Sequence, residues 1–73
     1  MTEQCLNNNS YNSVHQITKT LEFLSRADRY IEDAKKAGDS ESEKVWNTIK
    51  TDRLKHAEML KGLVVTDIKN NKF

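Results

Sequence analysis

The chain has 73 residues, of which 36% are apolar, 12 are basic and 11 are acidic. A chain this short forms one small domain with a barely sufficient core. Its balanced charge argues against a nucleic-acid or anionic-membrane partner. The longest apolar run, Leu63-Val64-Val65, is too short for a transmembrane helix, and the N-terminus lacks the pattern of a signal peptide. The single cysteine, Cys5, excludes an intramolecular disulfide, so we expect a cytoplasmic protein.

The first half of the chain predicts an arm followed by a long helix. Residues 1–12 are rich in Asn and Ser and lack apolar periodicity, so we expect a flexible arm. Asn12 or Ser13 then suits the N-cap of a helix over about 13–37, and Gly38 suits the left-handed position that ends it. Apolar residues recur in that helix at steps of three and four: Val14, Ile17, Leu21, Leu24, Ala27, Ile31 and Ala34.

The second half predicts a turn and a second helix. The stretch GDSESEK places a turn at 38–40, and Asp39 or Ser40 can cap a helix over about 41–68. Residues 70–73 are predicted to be a tail. The apolar stripe of this helix comprises Val45, Trp46, Ile49, Leu60, Leu63 and Val64.

Two long helices with a short connection predict an all-α hairpin of antiparallel helices over residues 13–69. One contact surface between two helices leaves much of each apolar stripe in water. Exposed apolar surface favours association at about 25 cal/mol per Å². We therefore expect a homodimeric four-helix bundle, or a hairpin docked on a larger protein.

Ionisable residues interrupt both stripes. In the stretch TIKTDRLKHAEML, Arg53 and His56 lie on the core-facing side of the second helix, and Asp52 lies just beside them. Asp28 lies in the middle of the first stripe, and the hairpin register places it opposite residues 50–53. These four residues form the candidate polar cluster of the interface.

Three interpretations of this cluster compete. Asp28 can pair with Arg53 across the hairpin while His56 is a neutral core histidine, an arrangement that fixes register more than it stabilises. Alternatively, these side chains face a partner protein. In the third interpretation, Asp28, Asp52 and His56 ligate a metal, with or without residues of a second chain, although Arg53 adds a fixed positive charge there.

The segment DRLKHAEML resembles the D-E-x-x-H-A-E-M-L segment of the ferritin-like superfamily, especially rubrerythrin-type proteins. RADRYIEDAKKAGD is similar to the first helix and turn of that fold, so the resemblance covers roughly Leu21 to Leu63. In the family, a Glu and a His three residues later ligate a di-iron centre. Here Arg53 occupies the Glu position, the first-helix ligand falls on Phe23, and His56 alone remains. The resemblance implies a half-length hairpin without a working di-iron site.

Aromatic residues complete the list of interface candidates. Trp46, Tyr30 and Phe23 suit either the core or the hot spots of a recognition surface. The sequence contains no phosphate-binding loop, catalytic triad or zinc spacing, so we predict a non-enzymatic protein without a cofactor. Our leading hypothesis is an intracellular interaction module of the adaptor or inhibitor type, acting by self-association or by docking on a larger protein. The alternative is a ferritin-like metal-binding protein whose site is assembled between chains.

Overall fold

The computed structural model describes residues 5–73, which form two α-helices, α1 (Asn8–Lys36) and α2 (Ser40–Lys69). The helices pack against each other along a surface that we call the seam, which confirms the predicted all-α hairpin. The molecule measures 50 × 25 × 13 Å. An α-helix with its side chains is about 10–12 Å across, so the hairpin is a single layer. Its two broad faces lie on either side of the plane that contains the two helix axes.

The first helix begins at Asn8, whereas the sequence pattern predicted a start at residue 13. Asn7 is the cap, and its Oδ1 accepts a hydrogen bond from the backbone N–H of Ser10 at 2.8 Å. Its Nδ2 also donates to the carbonyl oxygen of Lys72 at 3.0 Å, which joins the start of α1 to the end of the chain. Composition alone did not predict this cap, because Asn and Ser are unfavourable in the interior of a helix although they suit its N-terminus. Residues 1–4 of the predicted arm lie outside the described residues.

Both helices end in the same hydrogen-bonded turn. Gly38 has a φ of 69° and Asn71 a φ of 60°, a left-handed conformation that Gly and Asn adopt more readily than other residues. At the first turn, the N–H of Gly38 donates to the carbonyl of Lys35 at 3.0 Å, and the N–H of Asp39 donates to Ala34 at 2.9 Å. These two bonds define a Schellman motif, and they place Gly38 where the sequence predicted.

Asp39 caps the second helix. Its carboxylate accepts hydrogen bonds from the backbone N–H of Ser42 at 3.0 Å and from the Ser42 hydroxyl at 2.7 Å. The backbone bond, followed by the hydroxyl bond, holds the pKa of Asp39 below its usual range. Glu41 and Glu43 lie in the first turn of α2, where the positive end of the helix dipole favours negative charge. The connection is therefore short and fully capped.

A heptad repeat of small residues lines the α1 side of the seam. Every seventh residue from Ser13 is small and buried: Ser13, Thr20, Ala27 and Ala34. Small side chains leave room for the larger ones of the facing helix, as in coiled-coil packing. By contrast, no residue of α2 is buried. Its larger seam residues, such as Trp46 and Leu60, are half-buried.

Large apolar side chains remain exposed on both faces. The chain exposes 5758 Å², whereas a compact monomer of its mass exposes about 4700 Å². Val45 and Leu63 belong to the stripe that was predicted to face the core, yet they are 50% and 53% exposed. The stripe of α2 is therefore wider than the seam, because one facing helix covers only part of it.

Candidate interaction face

Three aromatic side chains form a cluster over the seam in the half of the hairpin nearest the turn. Phe23 and Tyr30 are seven residues apart on α1 and therefore lie on one side of it. The ring centroids of Tyr30 and Trp46 are 4.9 Å apart, and Phe23 lies 6.0 Å from Tyr30 and 6.2 Å from Trp46. These separations fall in the range of favourable aromatic pairs. All three side chains are half-buried, so the cluster both stabilises the hairpin and presents an aromatic surface.

Arg53 extends the aromatic cluster along the same face. Its guanidinium carbon lies 5.0 Å from the centroid of the Phe23 ring, within the range of a cation–π interaction. No carboxylate among residues 5–73 lies within ion-pair distance of it. Within residues 5–73, Arg53 is therefore a half-buried cation that lies against an aromatic ring and not against a carboxylate.

A shallow groove of about 370 Å³ continues from Arg53 towards the open end of the hairpin. It is lined by Gln16, Thr20, Arg53, His56, Met59, Leu60 and Leu63. Thr20 is buried, whereas Met59 is 61% exposed and Leu63 is also exposed. The groove is thus an apolar depression between two helices with a polar edge. We call the side of the hairpin that carries the aromatic cluster and this groove the groove face.

Asp28 lies away from the groove face and does not pair with Arg53 as predicted. Its Oδ1 accepts a hydrogen bond from Lys50 Nζ at 2.6 Å, and its side chain is 81% exposed. The residue that faces α2 at this level is its neighbour Ala27, which is fully buried. Successive residues of a helix point about 100° apart, so Asp28 is turned out of the seam. The seven-residue spacing of the small residues was the sequence signal that could have revealed this.

His56 and Asp52 lie on the surface. His56 is exposed at the edge of the groove, so it is not the core histidine that one interpretation expected. Asp52 is exposed one turn before it. Within the described chain, no three His, Cys, Asp or Glu side chains are grouped so that they could hold a metal ion. A metal site that uses Asp28, Asp52 and His56 would therefore need side chains from a second chain.

The other broad face, which we call the opposite face, also carries exposed apolar residues. Val14 and Leu21 precede Asp28 by fourteen and seven residues and so lie on its side of α1. On α2, Leu54 and Ile68 are exposed and are separated by Lys61 at seven-residue steps. The apolar surface of this face is thus interrupted by a lysine and by the ion pair between Asp28 and Lys50.

Comparison with known proteins gives no relative: no protein-family model, curated protein sequence or solved structure matches this chain. Neither helix is apolar over a stretch that could cross a membrane, as judged over residues 5–73. The geometry of the two faces is therefore the basis for a proposed function.

Proposed function

We propose that this chain is a non-enzymatic interaction module that acts by binding protein through its uncovered apolar faces. The observation that carries the proposal is the single-layer architecture, in which no residue of α2 is buried and side chains such as Met59 and Leu63 are more than half exposed. Apolar surface left in water favours association, and contiguous patches of it mark interaction sites.

The composition of the groove face supports recognition of protein. Aromatic residues, Met and Arg are enriched at the cores of protein–protein interfaces. Here Phe23, Tyr30, Trp46, Arg53 and Met59 occur together on one side of the hairpin. Aromatic and Arg side chains are also the usual hot spots of binding energy.

A homodimer that forms a four-helix bundle is the form of association that we favour. The face of the hairpin measures 50 by 25 Å. The area of such a face is larger than the roughly 800 Å² per partner that a standard stable interface buries. Docking on a larger protein, as an adaptor or inhibitor, would use the same exposed residues. A reducing, cytoplasmic setting is part of the proposal and is supported by the free, exposed thiol of Cys5.

The dependence of thermal stability on concentration tests this proposal. Association that involves only the native state stabilises it by mass action. We expect the midpoint of thermal unfolding to rise as the chain concentration increases from about 5 to about 500 µM. Sedimentation velocity over the same range should show a dimer replacing a monomer. A midpoint independent of concentration, together with a monomer throughout, would contradict self-association.

A further inference from the structure

One stripe of α2 on the groove face is self-complementary. It consists of residues at steps of four, three, four, three and four, which lie along one side of a helix: Val45, Ile49, Asp52, His56, Met59 and Leu63. In either direction, the stripe presents two apolar residues, two oppositely charged or chargeable residues, and two more apolar residues. Its centre is midway between Asp52 and His56, at the level of residue 54.

We propose that the groove face binds a second copy of this chain, with α2 antiparallel to α2 of that copy about a two-fold axis at the level of residue 54. This inference rests on the proposed function and specifies its interface. The axis brings Asp52 opposite His56 of the second copy, Ile49 opposite Met59, and Val45 opposite Leu63. Each contact occurs twice, as in every two-fold interface.

The same axis brings the aromatic cluster of one copy to the groove of the other. Phe23 lies near the level of the axis, because Arg53 covers its ring. Trp46 lies eight residues before the axis. It therefore meets the second copy at the level of residue 62, between Met59 and Leu63 of that copy. Tyr30 lies seven residues after Phe23 and therefore meets the second copy at the level of Gln16, which lies seven residues before Phe23 of that copy. Met59, Leu63 and Gln16 line the groove, so the cluster and the groove form matching halves of one interface.

The polar side chains near the axis are complementary. Asp52 and His56 are exposed, and neither forms an ion pair with another residue in the described part of the chain. A second copy places the carboxylate of Asp52 opposite the imidazole of His56, which can donate a hydrogen bond to it. It also brings a carboxylate, that of Asp52, close to the level of Arg53. Complementary charges of this kind fix register and orientation in an interface.

The opposite face lacks this self-complementarity. Its exposed residues on α2, Leu54, Lys61 and Ile68, are centred on a lysine. An antiparallel pairing that matched Leu54 with Ile68 would place Lys61 against Lys61 of the second copy. Like charges that meet in an interface are unfavourable. The groove face is therefore the better site for a second copy.

Crosslinking of cysteine variants tests the arrangement. In a Cys5→Ser background, Val45→Cys and Leu63→Cys are made as separate variants and are then mixed and treated with a short bifunctional maleimide. We expect a crosslinked dimer from the mixture and little from either variant alone. Each thiol lies nine residues from the axis, so two identical thiols are about 27 Å apart along the helices. Ile49→Cys and Met59→Cys form a second pair if either variant fails to fold.

Matched variants on the opposite face, Leu54→Cys and Ile68→Cys, are the control. Sedimentation of the same samples shows whether a dimer is present. A dimer that crosslinks through Leu54→Cys and Ile68→Cys would overturn the proposed interface and leave self-association intact. The same holds for a dimer that crosslinks neither through Val45→Cys and Leu63→Cys nor through Ile49→Cys and Met59→Cys. A monomer without crosslinks would overturn the interface and the proposed self-association together.

Discussion

The two halves of the hairpin contrast in what they bury. Near the turn, the buried residues of α1 are Ala27, Ile31 and Ala34, and the aromatic cluster lies in the same half of the hairpin. Towards the open end, the buried residues are Ser10, Ser13 and Thr20. Four of these residues form the seven-residue repeat of α1, and Ser10 and Ile31 each lie three residues before a member of it. The position of a residue on α1 therefore determines whether it is buried. Its polarity determines whether that burial stabilises the fold.

We expect the open half to be the less stable part of the seam, because of the hydroxyl groups that it buries. A buried hydroxyl costs free energy unless it is hydrogen-bonded. The Ser13 hydroxyl donates to the carbonyl of Asn9 at a long 3.4 Å, and the Ser10 hydroxyl has no partner among the described residues. The groove also lies in this half. Association through the groove face would therefore cover the half that the seam stabilises least.

Truncation of the aromatic cluster should have the largest effect. Trp46 contacts both Tyr30 and Phe23, so Trp46→Ala removes the main apolar contact of the turn half. We expect a loss of about 3 kcal/mol in the free energy of unfolding, measured by urea denaturation at one fixed chain concentration. Leu54→Ala, at an exposed site, should cost less than about 1 kcal/mol. Equal losses would show that the aromatic cluster contributes no more to stability than an exposed apolar residue does.

Charge changes at the proposed axis should affect association rather than folding. His56→Asp places two carboxylates opposite each other at each symmetric contact, so we expect the dimer dissociation constant to rise about tenfold, equivalent to about 1.4 kcal/mol. The double variant Asp52→His, His56→Asp restores the complementary pair with its members exchanged. Its dissociation constant, from sedimentation equilibrium, should return close to that of the unmodified chain. A double variant as weak as His56→Asp would argue against this contact.

Removal of the Ser10 hydroxyl, for which residues 5–73 supply no hydrogen-bond partner, should be stabilising. Ser10→Ala deletes a buried polar group and keeps the backbone N–H that Asn7 caps. We expect a gain of about 1 kcal/mol in the free energy of unfolding. Ser25→Ala is the control, because that hydroxyl is exposed and bonded to the carbonyl of Glu22. It should change stability by less than about 0.5 kcal/mol. Destabilisation by Ser10→Ala would mean that this hydroxyl has a partner.

The smallest effect should appear at the acid end of the pH range. Because hydrogen bonds from Ser42 hold the folded pKa of Asp39 below its usual range, its contribution is present above the unfolded pKa. That contribution is lost as the pH falls through the folded pKa. Asp39→Asn keeps a good cap but cannot titrate. Thermal unfolding from pH 6 to pH 2 should therefore show a shallower loss of stability in the variant. Identical pH profiles would contradict the capping role.

The sequence predicted the hairpin because the periodicity, Gly38 and the capping position at Asp39 all agree. It did not predict the start of α1, since Asn7 acts through one capping bond and a bond to Lys72 that is remote in sequence. The expected pair between Asp28 and Arg53 was wrong because the centre of the apolar stripe is not the centre of the seam. The side chain of Phe23 proved to be the neighbour of Arg53, and only packing in three dimensions could place it there.

Sedimentation equilibrium of the unmodified chain, with Met59→Glu and Leu54→Glu as a matched pair, tests the central claim most directly. The proposed dimer through the groove face predicts a mass twice that of the 8.5 kDa chain. Met59→Glu should return the protein to a folded monomer, because it places a charge in the interface, and Leu54→Glu should remain dimeric. A folded monomer for the unmodified chain at concentrations up to about 500 µM would contradict the claim. A dimer unaffected by Met59→Glu would contradict the assignment of the groove face.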